Sequence, residues 1–167
     1  DVLIVDMDWH ETWGLRKKNP AKDAYGQRIG WTGYTWQEQL FPSPVNFLEW
    51  TETEDLKVAL NLHPASGIEP FEQQYEAFAA DYGWDKPGEG VPFRMSQEKW
   101  ADSYFKTVLG PMEDDGVDFW WLDWQQWLDS RYTKGLSNTF WLNYTFFNDK
   151  VRQTESLGTA APRPMIY

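Results

Sequence analysis

The chain has 167 residues, which is enough for one domain with a sizeable core but fewer than the roughly 250 residues of a complete (β/α)8 barrel. Its formal net charge of −11 argues against nucleic acid or an anionic membrane surface as partner, because phosphate groups require clustered Lys and Arg. The absence of Cys excludes disulfides and thiolate metal sites, and it leaves the cellular compartment open, periplasmic or secreted as well as cytoplasmic. No apolar run approaches the roughly 18 residues that a membrane-spanning helix needs.

The aromatic content is the most unusual compositional feature, with 12 Trp, 8 Tyr and 10 Phe. Apolar packing rarely uses so many indoles, because each buried indole N–H needs a hydrogen-bond partner. Flat aromatic faces flanked by acids and amides suit a pyranose, which has C–H patches on its faces and hydroxyls around its rim. Core packing explains any single Trp better, whereas the whole set, together with the acidic balance, favours carbohydrate binding.

Four short β-type runs recur along the chain, and each of the first three is followed by a long polar or aromatic segment. Because these runs are apolar on both faces, they predict buried parallel strands. The predicted strands cover residues 2–5, 56–62 and 117–122, with a fourth beginning at 164–167.

Helical patterns separate the predicted strands. Ser43 followed by Pro44 predicts an N-cap and a first helical position, and Ser96 predicts the cap of a helix that ends near Glu113. A shorter helix is predicted over 71–82, and another from Ser137 or Asn138 to about residue 153. This alternation predicts an α/β fold with a parallel sheet. The long segments 9–42, 64–95 and 124–136 follow strand ends, where barrel and doubly wound enzymes place their sites.

Each complete predicted strand ends in a polar side chain at the point where the chain leaves the sheet. Asp6 and Asp8 follow the first strand, His63 follows the second and Asp123 follows the third. A carboxylate is costly to bury within a parallel strand, but at the carboxyl edge it faces a cleft. One such residue is explained by loop capping, whereas three in succession predict a functional site. Asp118 interrupts the apolar alternation of its strand, and we interpret it as structural or exposed.

Asp123 is the strongest candidate for a catalytic residue. It lies between Trp121 and Trp124, with the amides of Gln125 and Gln126 close behind. A glycosidase needs a carboxylate at the anomeric carbon, aromatic surfaces that orient the ring, and hydrogen-bond partners for the hydroxyls.

Five segments, in order and spacing, resemble glycoside hydrolase family 31 and together cover nearly the whole chain. They are 6–10 (DMDWH), similar to the family's Asp-Ile-Asp-Tyr-Met; 33–44, similar to Phe-Thr-Trp through Arg-Phe-Pro-Asp-Pro; 60–65, similar to the next strand with its Asp-Pro end; 116–123 (GVDFWWLD), similar to the nucleophile strand; and 163–167, similar to the start of the following strand.

The resemblance implies a fold, an activity and roles for individual residues. The chain would be a fragment of a single catalytic (β/α)8 barrel domain, residues 1–167, about strands 2 to 5 with their helices and truncated at both ends. Asp123 would be the nucleophile of a retaining α-glycoside hydrolase, Asp6 would bind sugar hydroxyls, and Trp121 would form an aromatic wall of the same subsite. The acid/base Asp would follow Tyr167. The substrate would be an oligosaccharide or glycoside, and the mechanism needs neither cofactor nor metal.

Two departures from the family pattern concern substrate contacts. His63 stands where the family usually has Asp before the Pro, which removes a carboxylate near the rim. Trp124 replaces Met after the nucleophile and would narrow the site or add stacking beside the aglycone. The sugar preference therefore stays open between α-glucosidase as the default and α-xylosidase, α-galactosidase or α-N-acetylgalactosaminidase activity.

Two other functional classes remain as alternatives. A non-catalytic carbohydrate-binding module would explain the aromatics and acids, but such modules usually present them on an exposed antiparallel face. A metal-dependent hydrolase would use Asp6, Asp8, His10 and His63, although the chain has only two His residues. If the chain is part of a barrel, it is expected to be inactive alone, and its unpaired strand edges are expected to bind the rest of that barrel or a second copy.

Overall fold

A computed structural model describes residues 1–11, 31–123, 130–157 and 163–166. Within these ranges, three strands form one parallel sheet in the order β1-β2-β3, with β1 at Val2–Val5, β2 at Lys57–Leu62 and β3 at Phe119–Leu122. The three predicted complete strands and their parallel direction are therefore confirmed, with β3 beginning two residues later than expected.

Five α-helices connect and cover the described strands. They are α1 at Pro44–Thr53, α2 at Tyr75–Tyr82, α3 at Glu98–Tyr104, α4 at Gly110–Asp114 and α5 at Asn138–Leu157, and a π-helical turn at Phe105–Leu109 joins α3 to α4. Pro111 supplies no backbone N–H and its ring would clash with the preceding turn of a regular helix, which accounts for the widened turn before it. No described helix is long and apolar enough to cross a bilayer.

Some predicted boundaries are wrong. Residues 163–166 form no strand, and Pro164 there has no amide hydrogen to contribute to a ladder. Helix α2 begins at Tyr75 rather than at Phe71, because the preceding residues form turns. Ser96 does not cap α3, whose N-cap is Gln97; the Ser96 hydroxyl instead lies 2.9 Å from that of Ser130.

The sheet has two unlike faces because its side chains alternate. Val58, Leu60 and Leu62 of β2 belong, with Trp120 of β3, to the buried core cluster on the helix side. On the opposite face the amino-terminal half of β1 is open, since Val2 is 49% and Ile4 45% exposed. Each of the two outer strands pairs only with β2 within the described part of the chain.

Asp118 is structural, in line with the expectation for it. Its Oδ2 accepts a hydrogen bond from the Val58 amide at 2.8 Å, and its Oδ1 lies 3.0 Å from Lys57 Nζ. The Asp118 amide in turn donates to the Val58 carbonyl at 3.0 Å. This residue therefore fastens β3 to β2 where the two strands begin, at the end of the sheet remote from Asp123.

Candidate active site at the carboxyl edge of the sheet

The register of the parallel strands brings the predicted polar residues to one edge. Asn61 pairs with Trp121, and Leu62 with Leu122, so His63 and Asp123 follow at the same level. On the other side, Val5 pairs with Leu60, which places Asp6 beside Asn61. Because side chains two residues apart share a face, all five polar and aromatic rim residues lie on the face opposite the core: Asp6, Asn61, His63, Trp121 and Asp123.

Asp123 is partly buried, with its side chain 20% exposed. Its amide donates to the Leu62 carbonyl at 3.2 Å and so continues the ladder one step beyond β3. Asn61 Nδ2 donates to Asp123 Oδ2 at 2.9 Å. His63 Nε2 lies 3.3 Å from the same oxygen, although the ring is turned away from ideal hydrogen-bond alignment.

His63 is buried, and burial lowers its pKa from 6.5. The negative charges of Asp123 and Asp6 oppose that shift without reversing it, so the ring is neutral at neutral pH. Asp6 itself is exposed and caps the short 3-10 turn Met7–Trp9 through a 2.6 Å hydrogen bond from the Met7 amide.

A loop segment that the sequence did not single out covers His63. The Trp31 ring centroid lies 5.5 Å from that of His63, at 44° between the planes. The Thr32 hydroxyl donates to the His63 carbonyl and accepts from the Ser66 amide at 3.2 Å. Trp31 is thus a rim aromatic that sequence analysis missed, because nothing local separates it from the other Trp residues.

Buried Glu72 holds the same loop from below. Its Oε2 accepts from the Tyr34 amide at 3.1 Å, the Thr35 amide at 2.9 Å and the Thr35 hydroxyl at 2.6 Å. Donors on three sides offset the cost of burying a carboxylate at 5% exposure. The segment that carries Trp31 and Thr32 is therefore anchored to the core.

The aromatic residues divide between core and rim. Among the described Trp residues, Trp9, Trp36, Trp100 and Trp120 are core residues, so packing accounts for part of the unusual composition. Trp121 is half-buried on β3, whereas Trp124 lies outside the described residues.

The metal-centred alternative gains no support, because no three His, Asp or Glu side chains of the described ranges are grouped as metal ligands. His10, one of its four proposed ligands, is fully buried, with its Nδ1 3.0 Å from the Glu11 carbonyl oxygen.

Comparisons with known proteins support the fold class. No family model and no curated protein matches the sequence. Among solved structures, the chain is similar to a GH31 alpha-xylosidase from Xanthomonas citri, with a TM-score of 0.53 and 15% identity over 99% of this chain and 19% of that one. It also matches an alpha-galactosidase from Lactobacillus brevis, with a TM-score of 0.48 and 14% identity over 93% of this chain and 21% of that one. The chain spans about a fifth of the length of these two proteins. Its mixed α/β fold is therefore similar to that of part of this alpha-xylosidase.

Proposed function

We propose that this chain supplies the nucleophile side of the active site of a retaining α-glycoside hydrolase, with Asp123 as the nucleophile. The observation that carries the proposal is the position of Asp123, one residue beyond a buried parallel strand, partly exposed and contacted by Asn61 Nδ2 and His63 Nε2. A carboxylate held at this edge of a parallel sheet has the placement that barrel enzymes use for catalysis.

The reaction would proceed in two displacements. An Asp123 oxygen attacks the anomeric carbon through an oxocarbenium-like transition state, forming a glycosyl ester while the bond to the leaving oxygen breaks. A second carboxyl about 5–5.5 Å away protonates that oxygen and then removes a proton from the water that cleaves the ester. Under this proposal the second carboxyl lies beyond Tyr167, and Asp6 binds sugar hydroxyls instead.

The substrate class is an α-linked oligosaccharide or glycoside, with α-glucosidase activity as the default. The similarity to an alpha-xylosidase supports an α-glycosidase, and it makes α-xylosides the second substrate to test. Trp121 and His63 are proposed to line the sugar subsite, and Trp124 the aglycone side. We keep α-galactosides and α-N-acetylgalactosaminides in the substrate panel.

Domain organisation follows from the same proposal. Residues 1–167 would form part of one catalytic barrel, and the remaining strands would pair with the free edges of β1 and β3. The exposed apolar side chains of Val2 and Ile4, on the face away from the helices, support further covering of this face. We expect the 167-residue chain alone to be inactive.

A sugar-binding module without catalysis is the weaker alternative. A sugar-binding module is expected to have an exposed antiparallel sheet, whereas the described sheet is parallel and packed against helices. Stacking of a sugar on aromatic rings also does not require a carboxylate at the position of Asp123.

The test is covalent trapping in the polypeptide encoded by the complete gene. A fluorinated glycosyl inhibitor should add one glycosyl group to the tryptic peptide 107–131. Because this peptide contains five Asp residues, fragment-ion spectra must assign the label to Asp123. Asp123→Asn should remove the label, whereas Asp118→Asn should keep it. A label on any other side chain would refute Asp123 as nucleophile.

A further inference from the structure

Asn61 is a polar residue at a position where the surrounding strand is apolar. Four of the six residues of β2 are apolar, and Asn61 is fully buried, with no exposed surface. Its Nδ2 donates to Asp123, but its Oδ1 has no hydrogen-bond partner among the described residues. An unsatisfied buried carbonyl costs about 1–3 kcal/mol, so an apolar side chain would suit the fold better at this position. Stabilisation of the fold therefore does not explain why the side-chain amide of Asn61 stands at this position.

His63 presents the same conflict two residues later. It is 3% exposed, and neither ring nitrogen makes a well-aligned hydrogen bond within the described part of the chain. Its Nε2 nevertheless approaches Asp123 Oδ2, the oxygen that Asn61 also contacts, at 3.3 Å. The Asn61 amide N–H on β2 and the Nε2 atom of His63, just beyond β2, thus approach the same carboxylate oxygen at the end of β3.

The backbone under both residues is held in place by side chains from elsewhere in the chain. Trp9 Nε1 donates to the Asn61 carbonyl at 2.8 Å, and the Thr32 hydroxyl donates to the His63 carbonyl. Because these two anchors lie far away in sequence, the end of β2 is fixed by tertiary structure. A donor on a fixed backbone can orient a carboxylate with little loss of side-chain entropy.

Both donors are neutral, which matters for a nucleophile. A Lys or Arg in their place would hold the carboxylate by a full positive charge and withdraw more of its electron density. The neutral tautomer of His63 with the proton on Nε2 is assigned from the carboxylate that this atom faces. Asp6 and Asp123 are the charged groups that act on His63 among the described residues.

We propose that Asn61 and His63 are positioning residues that hold the Asp123 carboxylate through Oδ2 and so set the plane from which it attacks the anomeric carbon. This inference rests on the proposed function, since it assigns a role relative to the nucleophile. His63 stands where the resemblance predicts a carboxylate. The position would therefore carry a donor toward Asp123 in place of a second negative charge beside it.

The first experiment tests the contact without any assay of activity. The chain has only two His residues, so the NMR signals of His63 can be assigned by their loss in His63→Gln. Asp123→Asn removes a negative charge that raises the pKa of His63, so the His63 pKa should fall further. Equal His63 titration curves in the wild-type and variant chains would overturn the contact.

The second experiment measures kcat and KM in the polypeptide encoded by the complete gene. Asn61→Leu and His63→Leu remove a donor, the first with the same number of side-chain heavy atoms and the second with a similar volume, whereas His63→Gln keeps an N–H near the position of Nε2. We expect the Leu variants to lose about tenfold to a hundredfold in kcat, as for a misplaced reactive group, with KM within about threefold. His63→Gln should recover most of the loss, and Asn46→Leu, an exposed Asn on α1, should match the wild type.

Trapping separates this inference from the proposed function. Label on Asp123 together with unchanged kcat in both Leu variants would refute the positioning role and leave the nucleophile assignment standing. Label on a different residue in the wild type would refute the nucleophile assignment itself. If a Leu variant fails to fold, as judged by circular dichroism, the Gln variant and the His63 titration decide the matter.

Discussion

Glu72 provides the most direct test of how the rim is built. Its carboxylate accepts three hydrogen bonds from Tyr34 and Thr35, and the loop that it holds carries Trp31, which packs near His63. Glu72→Ala leaves two buried amides without an acceptor, while the Thr35 hydroxyl can rotate to another partner. At about 1–3 kcal/mol for each stranded amide, we expect a loss of about 2–6 kcal/mol.

That loss is large against a typical folding free energy of about 5–15 kcal/mol. Glu72→Gln keeps a carbonyl oxygen but no charge, and it should cost about 1–2 kcal/mol because only the charge assistance is lost. Urea unfolding followed by Trp fluorescence at low protein concentration measures both values. With a slope of about 2 kcal/mol per molar urea, the midpoint of the Ala variant should fall by about 1–3 M.

The matched control is Glu76→Ala, which removes an exposed carboxylate from the neighbouring helix α2. Its urea midpoint should stay within the error of the wild type. A Glu72→Ala midpoint equal to that of Glu76→Ala would show that the Glu72 hydrogen bonds do not anchor the loop. An NMR spectrum in which the His63 signals move only in the Glu72 variant would locate the damage at the rim.

Three further predictions concern the sheet edge and its support. Asp118→Ala should lower the free energy of unfolding by about 1.5–3 kcal/mol, because it removes a charge-assisted hydrogen bond to a backbone amide of β2. Lys57→Ala should lower it by under about 1 kcal/mol, because the exposed ion pair is screened by solvent. Equal urea midpoints for the two variants would contradict this difference. Gly33→Ala should destabilise the chain by about 1–3 kcal/mol through overpacking, because its Cβ would overlap the buried His10 ring; a thermal melt unchanged from the wild type would be inconsistent with this packing. The pKa of His63 is lower in the folded chain, so as pH falls below 6.5 the unfolded chain takes up a proton first. The folded chain therefore loses stability as pH falls through the folded pKa. Urea midpoints measured between pH 7.5 and 5 should fall less steeply in His63→Gln than in the wild type.

Local sequence was sufficient for the strands and for the residues at their ends. The runs at 2–5, 56–62 and 117–122 are mostly apolar on both faces, which is typical of parallel strands, and parallel strands bring their carboxyl ends to one edge. The positions of Asp6, His63 and Asp123 in the sequence therefore suffice to predict that they share this edge. Where local signals were weak the prediction failed, as at residues 163–166 and at the start of α2.

Tertiary structure decided which side chains meet at that edge. The hydrogen bond from Asn61 to Asp123 joins residues 62 positions apart, and those from Tyr34 and Thr35 to Glu72 span 38 and 37. No local pattern encodes such pairs, because they follow from strand register and from how one loop folds over another. For the same reason, the sequence shows that the chain has 12 Trp residues but does not indicate that Trp100 lies in the core and Trp31 at the rim. The sequence by itself determined that Asp123 follows the end of a strand, and the packing of distant segments decided which side chains contact it there.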